Sequence, residues 1–204
     1  MNSQAILYHV HDPMCSWCWG FRKVWDQLRA VLPSAVTVVN VVGGLAPDSN
    51  QAMPMEQRRT IAGYWSQVAE QTGAEFNFDF WHNCTPRRST YPACRAVLAG
   101  ANQQAEQLMI EAIQHAYYLR ALNPSDDSTL ITLAGELALD VERFSTDLNS
   151  QETVAALQDN FAIRRNINVY SFPSLVLAKG DEFTHIDINY QSHAPCLDAI
   201  VALL

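Results

Sequence analysis

Cys15 and Cys18 stand in the run Cys15-Ser16-Trp17-Cys18, and two thiols separated by two residues can exchange with a disulfide. One thiolate attacks a disulfide sulfur to give a mixed disulfide, and the second releases it by closing the intramolecular bond. With five cysteines in 204 residues, that spacing arises by composition often enough to be a weak signal alone. Its setting carries more weight. The pair follows an apolar run from Ala5 to Val10 and opens a segment with Val24, Leu28, Val31 and Leu32 at helical spacing. A helix starting there points its unpaired N–H groups and positive dipole end at the first sulfur, which favours thiolate over thiol. Cys15 is therefore the expected nucleophile, and Cys18, one turn along, the resolving thiol.

The elements that must hold this pair are legible on either side of it. Ala5 to Val10 and Val36 to Val42 read as strands flanking the first helix, and Gly43-Gly44 with Pro47-Asp48 closes the unit in a loop. From about 54 to about 149 the pattern is helical. Ile61, Tyr64, Trp65 and Val68 mark a helix that Pro54 can open, while Phe76, Phe78 and Phe80 alternate as a short extended piece would. A helix from Pro92 to about Gly100 precedes a longer one with Met109, Ala112, Ile113, Ala116 and Tyr117 on one face, ended by Asn123-Pro124. Two shorter helices carry Leu130, Ala134 and Leu137, then Val141, Phe144 and Leu148. The last quarter begins with a helix that Ser150 can cap and that presents Val154, Leu157 and Phe161. Strands from Ser174 to Ala178 and Phe183 to Ile188 are joined by Lys179-Gly180-Asp181-Glu182, a hairpin-length turn. A terminal helix has Pro195 in its first turn and Leu197, Ile200, Val201 and Leu204 as its buried face.

Composition narrows the function classes. A chain that is 49% hydrophobic and 17% charged has the make-up of a folded globular protein. A net charge of −8 without a Lys/Arg stripe argues against nucleic acid, because that affinity comes from neutralising phosphates. No run reaches the roughly 18 apolar residues of a membrane span, and the start lacks the basic cluster and apolar core of a secretion signal, so a cytoplasmic protein without a membrane partner is expected. Most of the five thiols should then be reduced. Cys94, beside Ala93, Val97 and Leu98, and Cys196 read as buried inert thiols. Cys84, in the polar stretch His82-Asn83-Cys84-Thr85, is the candidate for a secondary or regulatory thiol. A zinc site would need His11, His82, Cys84, Cys94 or Cys196 to converge on the pair without a second CxxC, so neither metal nor organic cofactor is expected.

The run Asp12-Pro13-Met14-Cys15-Ser16-Trp17-Cys18-Trp19, together with Phe172-Pro173-Ser174 ahead of the strand Leu175-Val176-Leu177, resembles the DsbA-like branch of the thioredoxin superfamily, particularly its FrnE-type cytoplasmic members. The resemblance implies an α/β thioredoxin fold, strand–helix–strand at the start and helix–strand–strand–helix at the end, spanning 1–50 and 150–204. It also implies a large all-helical insertion at 51–149 that roofs the cysteines. Pro173 would be a cis residue packed beside them, leaving the Phe172 backbone to pair with an extended substrate. Trp17, between the cysteines, would add an apolar substrate contact. The family's acidic residue six positions before the first cysteine is replaced by His9, either a proton relay or a packed core histidine.

The implied activity is thiol–disulfide exchange on protein or small thiols, glutathione among them. Two alternatives stand beside it. One is a glutathione-dependent isomerase or transferase similar to 2-hydroxychromene-2-carboxylate isomerase or kappa-class glutathione transferase, whose members place serine where Cys15 stands and need no resolving thiol. The other is a zinc- or partner-binding module without catalysis.

Overall fold

The computed structural model of the chain describes residues 4–204. It opens with β1 (Ala5–His11), α1 (Ser16–Val31) and β2 (Val36–Val42), and closes with α8 (Gln151–Asn166), β3 (Ser174–Lys179), β4 (Glu182–Ile186) and α9 (Ala194–Leu203). The four strands form one sheet in the order β2-β1-β3-β4. β1 runs parallel to β2, with Leu7 opposite Val38, and antiparallel to β3, with Leu7 opposite Leu177. The parallel pair needs a crossover, and α1 supplies it.

Alternation along β1 sorts its side chains between two cores. Ala5 and Leu7 face Phe21, Val24, Trp25 and Leu28 of α1 and Ile200 of α9. Val10 packs on the opposite face with Val41, Val176, Ile167 and Val169 at the end of α8. A strand covered on both faces reads as a nearly continuous apolar run, as this one does. The β3–β4 hairpin turns through Gly180 at φ +62°, a left-handed conformation that glycine adopts without a Cβ penalty. β4 ends at Ile186, opposite Leu175, two residues before the expected Ile188. Pro173 lies two residues before Leu175 and has no N–H to extend the ladder.

Between β2 and α8 the chain is helical: α2 (Met55–Thr72), α3 (Phe80–Asn83), α4 (Tyr91–Ala101), α5 (Glu106–Tyr118), α6 (Asp127–Glu136) and α7 (Val141–Leu148). The alternating phenylalanines form no strand; Phe76, Phe78 and Phe80 instead gather around the buried Trp65 ring. α5 closes at Tyr118, ahead of Asn123-Pro124. Ser150 caps α8 as expected, accepting from the Thr153 N–H. On α8 the buried row is Thr153, Leu157 and Phe161, a spacing of four, which leaves Val154 outside, 41% exposed. On α9, Cys196 and Ile200 make the same spacing, and Val201 and Leu204 are exposed. The helical core also takes in Met14, Val42, Leu157 and Phe161, so it is continuous with the sheet.

Candidate active site

The segment between β1 and α1 carries the chemistry. Asp12, at the end of β1, receives the Cys15 N–H on its backbone carbonyl at 3.0 Å and the Met14 N–H on its carboxylate at 2.8 Å. This tight turn leaves Cys15 extended at the N-cap of α1, φ −84° and ψ 118°, with no side chain capping the first turn. The helix N-terminus is thus left open to the Cys15 sulfur rather than filled by a neighbour's oxygen. Both cysteines are free thiols, Cys15 7% and Cys18 5% exposed. Burial pushes the Cys18 thiol well up, and the adjacent Cys15 adds to the rise. Cys18 therefore stays protonated until something takes its proton.

The second half of the site arrives from the far end of the chain. The Phe172–Pro173 peptide is cis, as the resemblance implied, and the Phe172 carbonyl lies 3.5 Å from the Cys15 sulfur, accepting from the thiol. The Phe172 ring packs over Gly43, where an added Cβ would run into it. The Trp17 ring lies 5.3 Å from that of Tyr190 and borders the cleft above Cys15. That cleft, about 360 Å³, is walled by Met53, Ile61, Tyr64 and Trp65 of the helical segment, by Arg87 and Arg88, and by Tyr170 to Phe172. Cys15, Trp17 and Phe172 thus share one cavity, and Pro173 adjoins it.

His9 lies on the other side, beneath α1. It is buried, stacks on His11 at 4.8 Å and on Trp25 at 4.1 Å between ring centres, and its Nδ1 pairs with Asn40 Oδ1 at 3.1 Å. A void of about 10 Å³, room for about one water, separates it from Cys18, and the half-buried Gln107 that helps line it has a buried Oε1 with no partner among the described residues. Burial holds the His9 imidazole well below its usual range, and its neighbour His11 lowers it further. Burial alone brings His11 down to about 4, and neither of its ring nitrogens has a partner among the described residues.

Sequence reasoning missed Asp12 and Arg88 as site residues. The buried Asp12 carboxylate ties three segments together, accepting from Met14 N–H, from Leu45 N–H at 2.7 Å, and from the Thr90 hydroxyl at 2.7 Å. The signal available was its position as an Asx residue three places before the helix N-cap, Cys15. Burial raises its pKa, against the pull of those donors. Cys94 is buried against the same carboxylate, its thiol 3.6 Å away; Cys196 is buried and donates to the Asp187 carbonyl. Cys84 is half-buried and donates to the Ala121 carbonyl, and burial raises its pKa, so its thiolate is disfavoured. Among the described residues no three His, Cys, Asp or Glu side chains are grouped to hold a metal ion. Nor is any helix among them long and apolar enough to cross a membrane.

The sequence matches the thioredoxin family model over residues 8–194. The chain belongs to the thioredoxin family. Among curated proteins it is 26% identical over 172 residues to the ClpXP adapter protein SpxH of Bacillus subtilis, covering 83% of this chain but 56% of that protein. The chain thus spans about half the length of the curated relatives it matches. Among solved structures, a candidate protein disulfide isomerase from Nitrosomonas europaea superposes with a TM-score of 0.84 at 28% identity, covering 98% of this chain and 97% of that one. The cytosolic disulfide reductase DsbM of Pseudomonas aeruginosa gives a TM-score of 0.78 at 22% identity, covering 98% and 100%, and a similar match has glutathione bound. The thioredoxin fold with a helical segment between β2 and α8 is therefore shared with DsbA-like and DsbM-like proteins.

Proposed function

We propose that this chain is a thiol–disulfide oxidoreductase working through Cys15 and Cys18. The observation that carries the reading is the Cys15 sulfur itself: it sits at an open helix N-terminus, against the Phe172 carbonyl, on the floor of a cleft, with Cys18 buried one turn behind. Cys15 attacks a disulfide entering the cleft, and an extended substrate pairs with the backbone beside Pro173 while Trp17 offers it an apolar edge. Cys18 then loses its proton and closes the internal bond. His9, which faces Cys18 across the one-water void, is the relay for that proton: burial disfavours its charged form, so it passes the proton on rather than keeping it. No metal or organic cofactor enters these steps.

Small thiols, glutathione among them, and protein thiols are the substrate classes proposed, and the glutathione-bound DsbM structure and the SpxH adapters are in keeping with both. A cytosolic setting accords with DsbM, where a reducing pool would return the pair to the dithiol. Within this reading, residues 51–149 act as the module that roofs the cysteines, supplying Met53, Ile61, Trp65 and Arg88 to the cleft wall.

The test is single-turnover reaction of the reduced chain with glutathione disulfide. Cys15→Ser should abolish it, and Cys18→Ser should stop at a mixed disulfide on Cys15 visible by intact mass. Undiminished turnover in Cys15→Ser would end the proposal.

A further inference from the structure

The cleft above Cys15 has a charge pattern at odds with the rest of the chain. The sequence holds 21 acidic and 13 basic residues, yet the lining of this cleft includes two arginines, Arg87 and Arg88, and no aspartate or glutamate. Arg87 is already engaged, with Asp126 at 2.6 Å and the Ser125 carbonyl. Arg88, an exposed residue that lines the cleft, has no ion pair or hydrogen bond among the described residues. Its charge reaches the site, where it opposes the rise that burial imposes on the Tyr117 hydroxyl. The neighbouring walls are apolar, with Met53, Ile61 and Trp65 buried or half-buried, and a cation beside such walls is screened less than one in open water. A second, more polar depression of about 460 Å³, around Arg87 and Arg95, lacks this feature, because Arg95 is forked onto Asp48 and Arg87 is paired with Asp126.

We propose that Arg88 is a specificity-determining residue that holds the carboxylate of a small peptide disulfide while its sulfur meets Cys15. The proposal rests on the oxidoreductase reading and names the substrate class it favours: anionic, peptide-sized disulfides. A cavity of about 360 Å³ matches a small ligand, since sites for such molecules run from roughly 300 to 1,000 Å³. A guanidinium recognises a carboxylate through paired N–H donors, which fixes orientation as well as adding attraction. The chemistry balances within the protein. The Cys15 thiolate attacks one substrate sulfur, the substrate S–S bond breaks, and the first peptide leaves as thiolate and takes up a proton. The Cys18 thiolate then attacks the Cys15 sulfur and expels the second peptide. Two electrons pass from the protein dithiol to the substrate, which becomes two thiols.

The experiment follows single-turnover oxidation of the full reduced chain by stopped-flow tryptophan fluorescence, with two probes: glutathione disulfide, and the same disulfide with its glycine carboxylates converted to primary amides. The quantity read is the ratio of the two second-order rate constants, in which differences in folding or intrinsic thiol reactivity cancel. In Arg88→Gln the acid-to-amide ratio should fall about tenfold, and Arg88→Lys should recover part of it. In the unaltered chain the ratio should also fall when salt is raised to about 0.5 M, which screens the pairing without any substitution. A ratio that stays the same in Arg88→Gln, or in the unaltered chain at high salt should the variant not fold, overturns the assignment. If the unaltered chain reacts with neither disulfide, the oxidoreductase reading itself fails. If it reacts with both at a ratio indifferent to Arg88 while Cys15→Ser is inert, only the Arg88 assignment falls.

Discussion

His11 gives the stability of this protein a calculable acid sensitivity. Its imidazole is fully buried, and burial lowers it from 6.5 to about 4, so the native state keeps it neutral over a range in which the unfolded chain takes up a proton. A base with a depressed native pKa stabilises the fold least at low pH: the penalty is absent well above 6.5, grows as pH falls below 6.5, and is complete below 4. In full it amounts to about 3 kcal/mol, with about 2 kcal/mol lost between pH 7 and pH 5. Asp12 works in the opposite direction, since its raised pKa makes ionisation unfavourable to the fold as pH climbs, and buried His9 works in the same direction as His11, so the wild-type curve alone mixes the three. The difference between wild type and His11→Phe isolates the imidazole. Neither ring nitrogen of His11 has a partner among the described residues, so phenylalanine removes the titration without breaking a hydrogen bond there. Its slightly larger ring adds a packing cost of about 1 kcal/mol that does not vary with pH. Urea unfolding of the reduced chain at pH 7, 6 and 5 should show the variant gaining about 2 kcal/mol on wild type across that span. Parallel stability curves for the two proteins would refute the reasoning.

Two further substitutions probe the supports of the cysteine pair. Gly43→Ala should push the Phe172 ring off β2 and carry its carbonyl away from Cys15, slowing disulfide exchange several-fold and costing about 1–3 kcal/mol in urea unfolding; unchanged exchange kinetics would detach Gly43 from the site. His9→Phe keeps an aromatic ring against Trp25 and His11 but removes the proposed proton relay. It should slow release of the mixed disulfide by about tenfold or more, followed by quench and intact mass, and an unaltered release rate would leave His9 as a packing residue only.

Much of this architecture could be read from the residues because local chemistry and tertiary role agree. The β-branched run at Val36–Val42, the apolar run around Leu175, the Ser150 cap and the Lys179–Glu182 turn all became what their types favour. The Cys15 pair was legible through its place between a strand and a helix, and Pro173 through its motif. The departures have a common cause. Val154, Val201 and Leu204 satisfy a helical period, but a helix packed along a row at four-residue spacing buries a narrower stripe than the apolar positions allow. Phe76, Phe78 and Phe80 alternate like a strand, yet they had no strand to pair with and a tryptophan to surround. Arg88 could not be singled out, and Asp12 was marked only by its place just ahead of the helix, because a charged residue's role is set by whether distant segments supply it with partners. Asp12 found Leu45 and Thr90; Arg88 found none among the described residues.

The contact between Cys15 and Phe172 joins residues 157 positions apart. A chain emerging N-terminus first exposes both sulfurs while the loop that will press against one of them, and most of the roof above, has yet to be made. The cleft around Cys15 is consequently assembled only once residue 172 has been made. Until then the two thiols lack the burial that the folded chain gives them.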